Sequence, residues 1–207
     1  MIFSLPPPDP ALEISIASRG YSKGVAQSDG MQVVIRSEVG FGAFKLGAYG
    51  KNVTSPQYDG EAGVSIGYKK TFGKAELNAT ATVKHLYGAG PGVDDVALEL
   101  NFAATRSWGA FKPRVGLTYS PDELAGTGRS AYWEAGSSYQ IDKKTSASAG
   151  IGVRRRTGGP DYTSFNAGLS RTLGGPFTAD VRLYDTDRNS LGENFHRRVV
   201  VSLRTRI

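Results

Sequence analysis

The sequence predicts an all-β fold: a single closed antiparallel transmembrane β-barrel of about 12 strands, with short periplasmic turns and longer extracellular loops. Three observations lead there. Apolar and polar residues alternate with period two in one segment after another, and hardly any stretch shows helical periodicity. The connections between these segments alternate between short and long. The polar face of nearly every segment also carries ionised side chains, which a compact water-excluding core could not accept. In a barrel of this size the charged face can line a wet or networked interior while the apolar face meets lipid.

The series opens with residues 11–18, ALEISIAS, where Leu12, Ile14 and Ile16 oppose Glu13 and Ser15. Residues 31–39, MQVVIRSEV, set Met31, Val33, Ile35 and Val39 against Gln32, Arg36 and Glu38. In residues 44–50, Phe44, Leu46 and Ala48 oppose Lys45 and Tyr49. Residues 61–70 give Ala62, Val64, Ile66 and Tyr68 against Glu61, Ser65 and Lys69. The cleanest segment is 74–84, KAELNATATVK, with Ala75, Leu77, Ala79, Ala81 and Val83 against Glu76, Asn78, Thr80, Thr82 and Lys84.

The second half repeats the scheme. Residues 95–105 place Val96, Leu98, Leu100 and Phe102 opposite Asp95, Glu99 and Asn101. Residues 111–119 place Phe111, Val115, Leu117 and Tyr119 opposite Lys112, Arg114 and Thr118. Residues 131–140 oppose Trp133, Ala135 and Tyr139 to Tyr132, Glu134 and Ser138, and residues 145–154 oppose Ala147, Ala149, Ile151 and Val153 to Ser146, Ser148 and Arg154. Residues 162–171 and 177–185 follow, the latter with Asp180 and Arg182 on its polar face. The closing stretch, NFHRRVVVSLRTRI, turns Phe195, Val199, Val201, Leu203 and Ile207 toward lipid and His196, Arg198, Ser202, Arg204 and Arg206 toward the lumen.

Short connections are EVGFG, KTFGK, RSWGA, QIDKK and TLGGP; long ones are RGYSKGVAQSDG, KNVTSPQYDG, YGAGPGVDD, SPDELAGTGR, RRTGGPDYT and DTDRNSLGEN. Segments of roughly 9–11 residues suit a tilted membrane crossing. An even strand number returns both termini to the periplasmic side. The expected organisation is an N-terminal periplasmic extension over residues 1–10 and a barrel over 11–207. The opening MIFSLPPPDP lacks the charged and apolar regions of a signal peptide, so an exported form would be a mature sequence carrying a start Met.

Composition narrows the function classes. The chain has 207 residues, no cysteine and 27 glycines, which excludes a disulfide framework and thiolate chemistry. No run approaches the roughly 18 apolar residues of a spanning helix. The net charge is +6, but the 25 basic residues are spread along the chain among 19 acids, which argues against a nucleic-acid face.

From Ser18 the chain reads SRGYSKGVAQSDG, and YDTD stands before the last strand. With the strand scheme around it, this segment resembles the TorF-type porin family of bacterial outer-membrane proteins. Arg19, Gly20 and Ser22 match that family's first element, and Gln27, Ser28, Asp29 and Gly30 match its second. Lys23 to Ala26 separate the two elements more widely than the family pattern does. The resemblance implies an outer-membrane channel without catalytic residues, and it covers essentially the whole chain.

The period-two registers select the candidate lumen-lining residues. The basic set is Arg36, Lys45, Lys69, Lys84, Lys112, Arg114, Arg154, Arg182, Arg198 and Arg204, and the acidic set is Glu38, Glu76, Glu99, Glu134 and Asp180. Arg206, Glu13, Glu61 and Asp95 fall on the same side. A basic excess would favour anions in a pore, whereas long side chains of both signs meeting across a narrow lumen would seal it. The expected role is passive diffusion of small, anion-favoured solutes through a monomer in a Gram-negative outer membrane. Its partners would be lipid and solute, with no nucleic acid and no cofactor. The rivals are a non-conducting anchor or adhesin and, third, a lipid-modifying barrel enzyme.

Three further motifs fall away. The loop DTDRNSLGEN puts Ser190 and His196 where a calcium loop needs Gly and Glu, so no metal site is expected. GAGPGVDD has no following lysine or helix to hold a phosphate. Of the two histidines, His196 lies six strand residues, roughly 20 Å, from Ser202, and His85 sits at a strand end without a local Ser and acid.

Overall fold

The computed structural model describes residues 9–207. The first barrel strand, β1 (Asp9–Ala17), leads into a two-residue-strand hairpin, β2 (Tyr21–Ser22) and β3 (Val25–Ala26). The wall continues through β4 (Gln32–Phe41), β5 (Phe44–Asn52), β6 (Gly60–Phe72), β7 (Ala75–Tyr87) and β8 (Val96–Arg106). It is completed by β9 (Phe111–Glu123), β10 (Gly128–Gln140), β11 (Thr145–Arg156), β12 (Tyr162–Gly174), β13 (Phe177–Thr186) and β14 (Arg198–Arg206). Every neighbour is antiparallel, and β1 pairs with both β4 and β14, so twelve strands form a closed barrel. Leu12 and Ile207 exchange backbone hydrogen bonds of 2.7 and 2.9 Å across the closing seam. The expected extension over residues 1–10 falls largely outside the described residues, but Asp9 and Pro10 already belong to β1, opposite Gly40 and Val39.

The alternation of connections follows turn chemistry. At one end the strands are joined by Gly42–Ala43 and Gly73–Lys74, each with glycine at positive φ in the first position (64° and 58°) and an ordinary residue in the second. That is the type II′ pattern, whose twist matches the flanking strands. The turn between β10 and β11 is locked differently: Lys144 and Thr145 backbone N–H groups donate to Asp142 Oδ1 at 2.7 and 2.9 Å. These bonds, the Lys144 one foremost, hold the Asp142 carboxyl below the usual carboxylate range. The opposite end carries the hairpin loop, the segments 53–59 and 88–95, and the eleven-residue stretch 187–197 with two single-turn 3-10 helices, Asn189–Leu191 and Glu193–Phe195. Two loops expected to be long shrink to 124–127 and 157–161, because β9, β10, β11 and β12 run further than the polar composition suggested.

The two faces separate as the alternation requires. Val64, Ile66, Leu77, Val83, Phe102 and Val115 are exposed, between 47% and 62%, on the outside of the wall. The opposite parity holds the buried polar groups, among them Glu61, Thr82, Lys84, Ser120, Arg154 and Ser164. A water-soluble protein would invert this arrangement. An apolar outer belt with a polar interior is the chemistry of a membrane-spanning barrel.

Two details correct the sequence reading. The final strand begins at Arg198; Phe195 closes a 3-10 turn and sets its ring edge-on to Tyr162 at 5.4 Å, instead of facing lipid, and His196 follows it as an exposed cap. The Arg197–Arg198 pair splits across the wall, Arg197 binding Asp185 and Arg198 binding Glu193. Second, Asp95 does not face the interior: it lies just before β8, and its carboxylate stands 3.5 Å from His85 Nε2, both groups about half exposed.

If the outer belt faces hydrocarbon, Ile66→Arg at the middle of β6 should cost about 2–4 kcal/mol in unfolding free energy measured in lipid vesicles. Heat-modifiable migration on unboiled gels should be retained by the wild-type chain.

Candidate functional site

The site is the interior of the barrel, and its organising element is the hairpin between β1 and β4. Ser22 pairs with Val25 around Lys23 and Gly24, both at positive φ (50° and 83°). Two consecutive left-handed residues make a type I′ turn, a two-residue hairpin loop. Gly24 is required twice over: its conformation disfavours a side chain, and a Cβ there would lie 2.2 Å from Ser164 on β12. The tip is therefore pressed against the far wall of the barrel. The Tyr162 hydroxyl donates to the Lys23 carbonyl at 2.9 Å, and Tyr21 stacks on Tyr184 at 4.2 Å between ring centres.

The segment that resembled the TorF-type elements forms the base of this hairpin. Arg19 Nη1 donates to Asp29 Oδ1 at 3.1 Å, and the Gln27 amide donates to the Gly20 carbonyl at 2.9 Å, extending the ladder below Ser22. Lys51 Nζ donates to Gln27 Oε1 at 2.8 Å. Ser28, fully buried, accepts from the Thr54 amide at 3.0 Å and donates to the Gly30 carbonyl, tying the loop to its neighbour. A Cβ on Gly20 would lie 2.3 Å from the Gln32 amide.

At the tip, Lys23 Nζ donates to Glu99 Oε2 at 2.6 Å and Glu123 Oε2 at 2.5 Å. Lys84 bonds the same two carboxylates, at 2.9 Å to Glu99 and closer still to Glu123. Arg154 approaches Glu123 at 3.6 Å, and Ser130 Oγ donates to it at 3.4 Å. Glu123 is only 6% exposed, and it bridges elements from the hairpin, β7, β10 and β11. Buried charges are tolerable only when their partners are this complete. A second buried pair, Lys51–Glu61 at 3.1 Å, lies beside it, with the Tyr49 hydroxyl donating to Glu61 at 2.5 Å.

Glu123 escaped the sequence registers, which placed it in a loop. Ser120 pairs with Ser130 but Glu123 pairs with Gly128, so β9 carries one extra residue. The bulge sits at Pro121–Asp122, and it reverses the parity so that Glu123 points inward. A proline inside a strand pattern is the available signal, since it cannot donate to the ladder. Lys23 had no such signal, because nothing local reveals that a polar loop folds into the lumen.

The predicted lining residues divide by level and partner. Arg36 pairs with Glu13 at 3.1 Å, Lys45 with Glu38 at 2.5 Å, Lys69 with Glu76 at 2.6 Å, and Arg114 with Glu134. These pairs join adjacent strands and lie along the wall. Arg182 donates to Asp180 within its own strand, and to Asn166 and Ser148 at 2.8 Å on the next two. Arg198 turns to Glu193 at the loop end. Lys112 and Arg204, together with Arg156, have no ion-pair partner among the described residues. Cavities remain inside. One of 350 Å³ lies along β9 to β12 and is lined by Lys112, Arg114, Glu134 and Ser148. Another of 240 Å³ lies between the hairpin and β4 to β8. Across the hairpin, Lys23, Arg154 and Tyr162 line a smaller space of 140 Å³ toward the loops.

Removing a member of the buried cluster should be costly, because it strands the others. Glu123→Ala should lower unfolding stability by about 3–5 kcal/mol, whereas Glu134→Ala at the half-exposed wall pair should cost no more than about 1 kcal/mol, both read by urea titration in vesicles.

No protein-family model matches the chain, and no curated protein does. Solved structures do. The chain is similar to the NanC porin, with a TM-score of 0.66 at 8% identity, and to the KdgM porin, with 0.63 at 10%; in both cases 94% of this chain covers 98% of the other. A KdgM porin in complex with disordered oligogalacturonate matches equally well. An outer-membrane channel from Pseudomonas putida F1 aligns over 98% of this chain and 96% of its own, with a TM-score of 0.56 at 11% identity. At these identities the likeness is one of architecture, and the chain has the twelve-stranded barrel fold of outer-membrane porins.

Proposed function

We propose that this chain is a porin-like channel of a Gram-negative outer membrane, admitting small solutes by passive diffusion and favouring anions. The observation that carries the reading is the excess of inward cations. Most acids on the inner face are already paired along the wall, whereas Lys112, Arg156 and Arg204 have no ion-pair partner among the described residues. A basic interior raises the local concentration of anions and lowers that of cations. Arg36, Lys45, Lys112, Arg114, Arg154 and Arg182 contribute to that potential. Pairs between adjacent strands lie along the wall, so they set the field without themselves crossing the lumen. The presence of oligogalacturonate, itself an anion, in one KdgM complex supports the same preference. The Arg19–Gly30 segment supports a porin of the TorF type.

The hairpin favours a second reading. It crosses the lumen and anchors on Glu99 and Glu123, leaving small spaces on either side. A barrel held in that state would be a non-conducting anchor that displays its loops. An enzymatic reading has less behind it: His85 lies on the outer face with Asp95, His196 is exposed on a loop, and neither histidine bonds a serine among the described residues.

Planar-bilayer recording separates these readings. Wild-type barrels should give small steps whose reversal potential lies on the anion side, and deletion of residues 21–26 should enlarge the steps severalfold. Lys112→Glu combined with Arg204→Glu should move selectivity toward cations. Silence from both wild type and deletion, with heat-modifiable migration intact, would establish the anchor; cation selectivity of the wild type would refute the anion preference.

A further inference from the structure

The outer belt is concave across β6 to β9. There two small residues, Ala79 on β7 and Ala104 on β8, stand among larger apolar side chains. Tyr68, Ala79, Phe102 and Leu117 share one cross-strand row, continued by Trp133 on β10. The next row toward the short turns is Lys70, Leu77, Ala104 and Val115, and the last is Phe72, Ala75 and Arg106. Ala79 and Ala104 form the floor of a trough of 630 Å³. Its walls are Tyr68 and Phe72 on one side and Phe102 and Trp133 on the other, all between 40% and 53% exposed. The trough runs over four strand residues, roughly 13 Å.

Cations stand where the trough reaches the turn end. Lys70 lies on its rim with Nζ 5.2 Å from the centre of the Phe72 ring, and Arg106 stacks on Trp108 at 5.4 Å. Lys74 occupies the adjoining turn. None of the three has an ion-pair partner among the described residues. Each aromatic ring holds its cation at the level where hydrocarbon gives way to headgroups, the usual place of such rings. The cations keep their hydrogen-bond donors free for an oxygen anion.

We infer that this trough is a binding site for one phospholipid with an anionic headgroup, its acyl chain lying over Ala79 and Ala104 and its phosphate held by Lys70 and Arg106. The inference rests on the membrane-barrel reading, which makes the turn end periplasmic and the lipid one of the inner leaflet. A second copy of this chain fits less well, because two identical troughs would bring Lys70 and Arg106 of both copies to one apolar seam at the turn end, with no acid to offset them.

Native mass spectrometry of the refolded full-length barrel in neutral detergent, with equal amounts of phosphatidylglycerol and phosphatidylcholine added, tests it. One phosphatidylglycerol should be retained in preference to phosphatidylcholine. A basic residue near an anionic surface contributes about fivefold in affinity, so Lys70→Gln with Arg106→Gln should weaken phosphatidylglycerol retention by about twenty-five-fold and weaken phosphatidylcholine far less, because its choline cation already offsets the phosphate. Ala104→Phe, which fills the floor, should reduce retention of both. Equal retention of the two lipids, or a double variant that behaves as wild type, would overturn the inference. So would a mass of two chains that Ala104→Phe returns to one. Unboiled gels of the same samples decide the underlying reading: a heat-modifiable band without lipid preference removes the lipid site alone, and the absence of that band removes the barrel reading with it.

Discussion

Hydrocarbon supplies no hydrogen bonds, so a strand placed in it must pair on both edges. The seam between β1 and β14 meets that condition for this chain, and the remainder of the structure depends on it. Closure leaves no unpaired edge, and it also fixes which side of every strand meets lipid. Once Val64, Ile66 and Val115 face outward, the residues between them have no choice but to face inward. The polar side chains that would be intolerable in a soluble core are thereby concentrated in the one compartment that can hold them.

That compartment is too wide to be filled from the wall and too narrow to ignore its charges. The wall answers with ion pairs between adjacent strands, such as Arg36–Glu13 and Lys69–Glu76, which remain half exposed and contribute little to stability individually. The buried level is different. There Lys23, Lys84 and Arg154 converge on Glu99 and Glu123, where desolvation is severe and each carboxylate needs several donors. Glycines on the inner face make room for what crosses it. Tyr132, for instance, lies over Gly152, where a Cβ would come within 2.0 Å of its hydroxyl. The same hydroxyl shares a 3.0 Å hydrogen bond with Ser164, beneath the hairpin tip.

What could be read directly from the chain was whatever a period of two can encode. The segment KAELNATATVK announces both its strand and its faces, and β7 places Glu76, Thr82 and Lys84 inward as the alternation demands. The short connections were equally plain, the GA and GK turns among them each holding a glycine at positive φ. Two of the loops read as long proved short, because the strands beside them run on. Parity fails wherever a residue is inserted, so the bulge at Pro121–Asp122 hid Glu123, the most heavily bonded acid in the interior. It fails again where a strand has not yet begun: Phe195 and His196 continue the alternation of β14 in sequence but lie in a 3-10 turn. Lys23 was beyond reach for another reason. Its partners are set by closure of the whole wall, and no local pattern carries that information.

The hairpin also has a bearing on the order in which the molecule is assembled. Its own pairing spans only Gly20 to Gln27, so it can form as soon as the first strands exist. Its anchors are remote: Glu99 is 76 residues from Lys23, and Glu123 is 100. Because the hairpin follows directly on β1, a sheet that rolls up from this edge wraps around it, and no chain has to be threaded through a finished ring. The last strand then closes against the first with the hairpin already enclosed. Placing the same hairpin between β9 and β10 would leave the ladder unchanged and would lose that advantage.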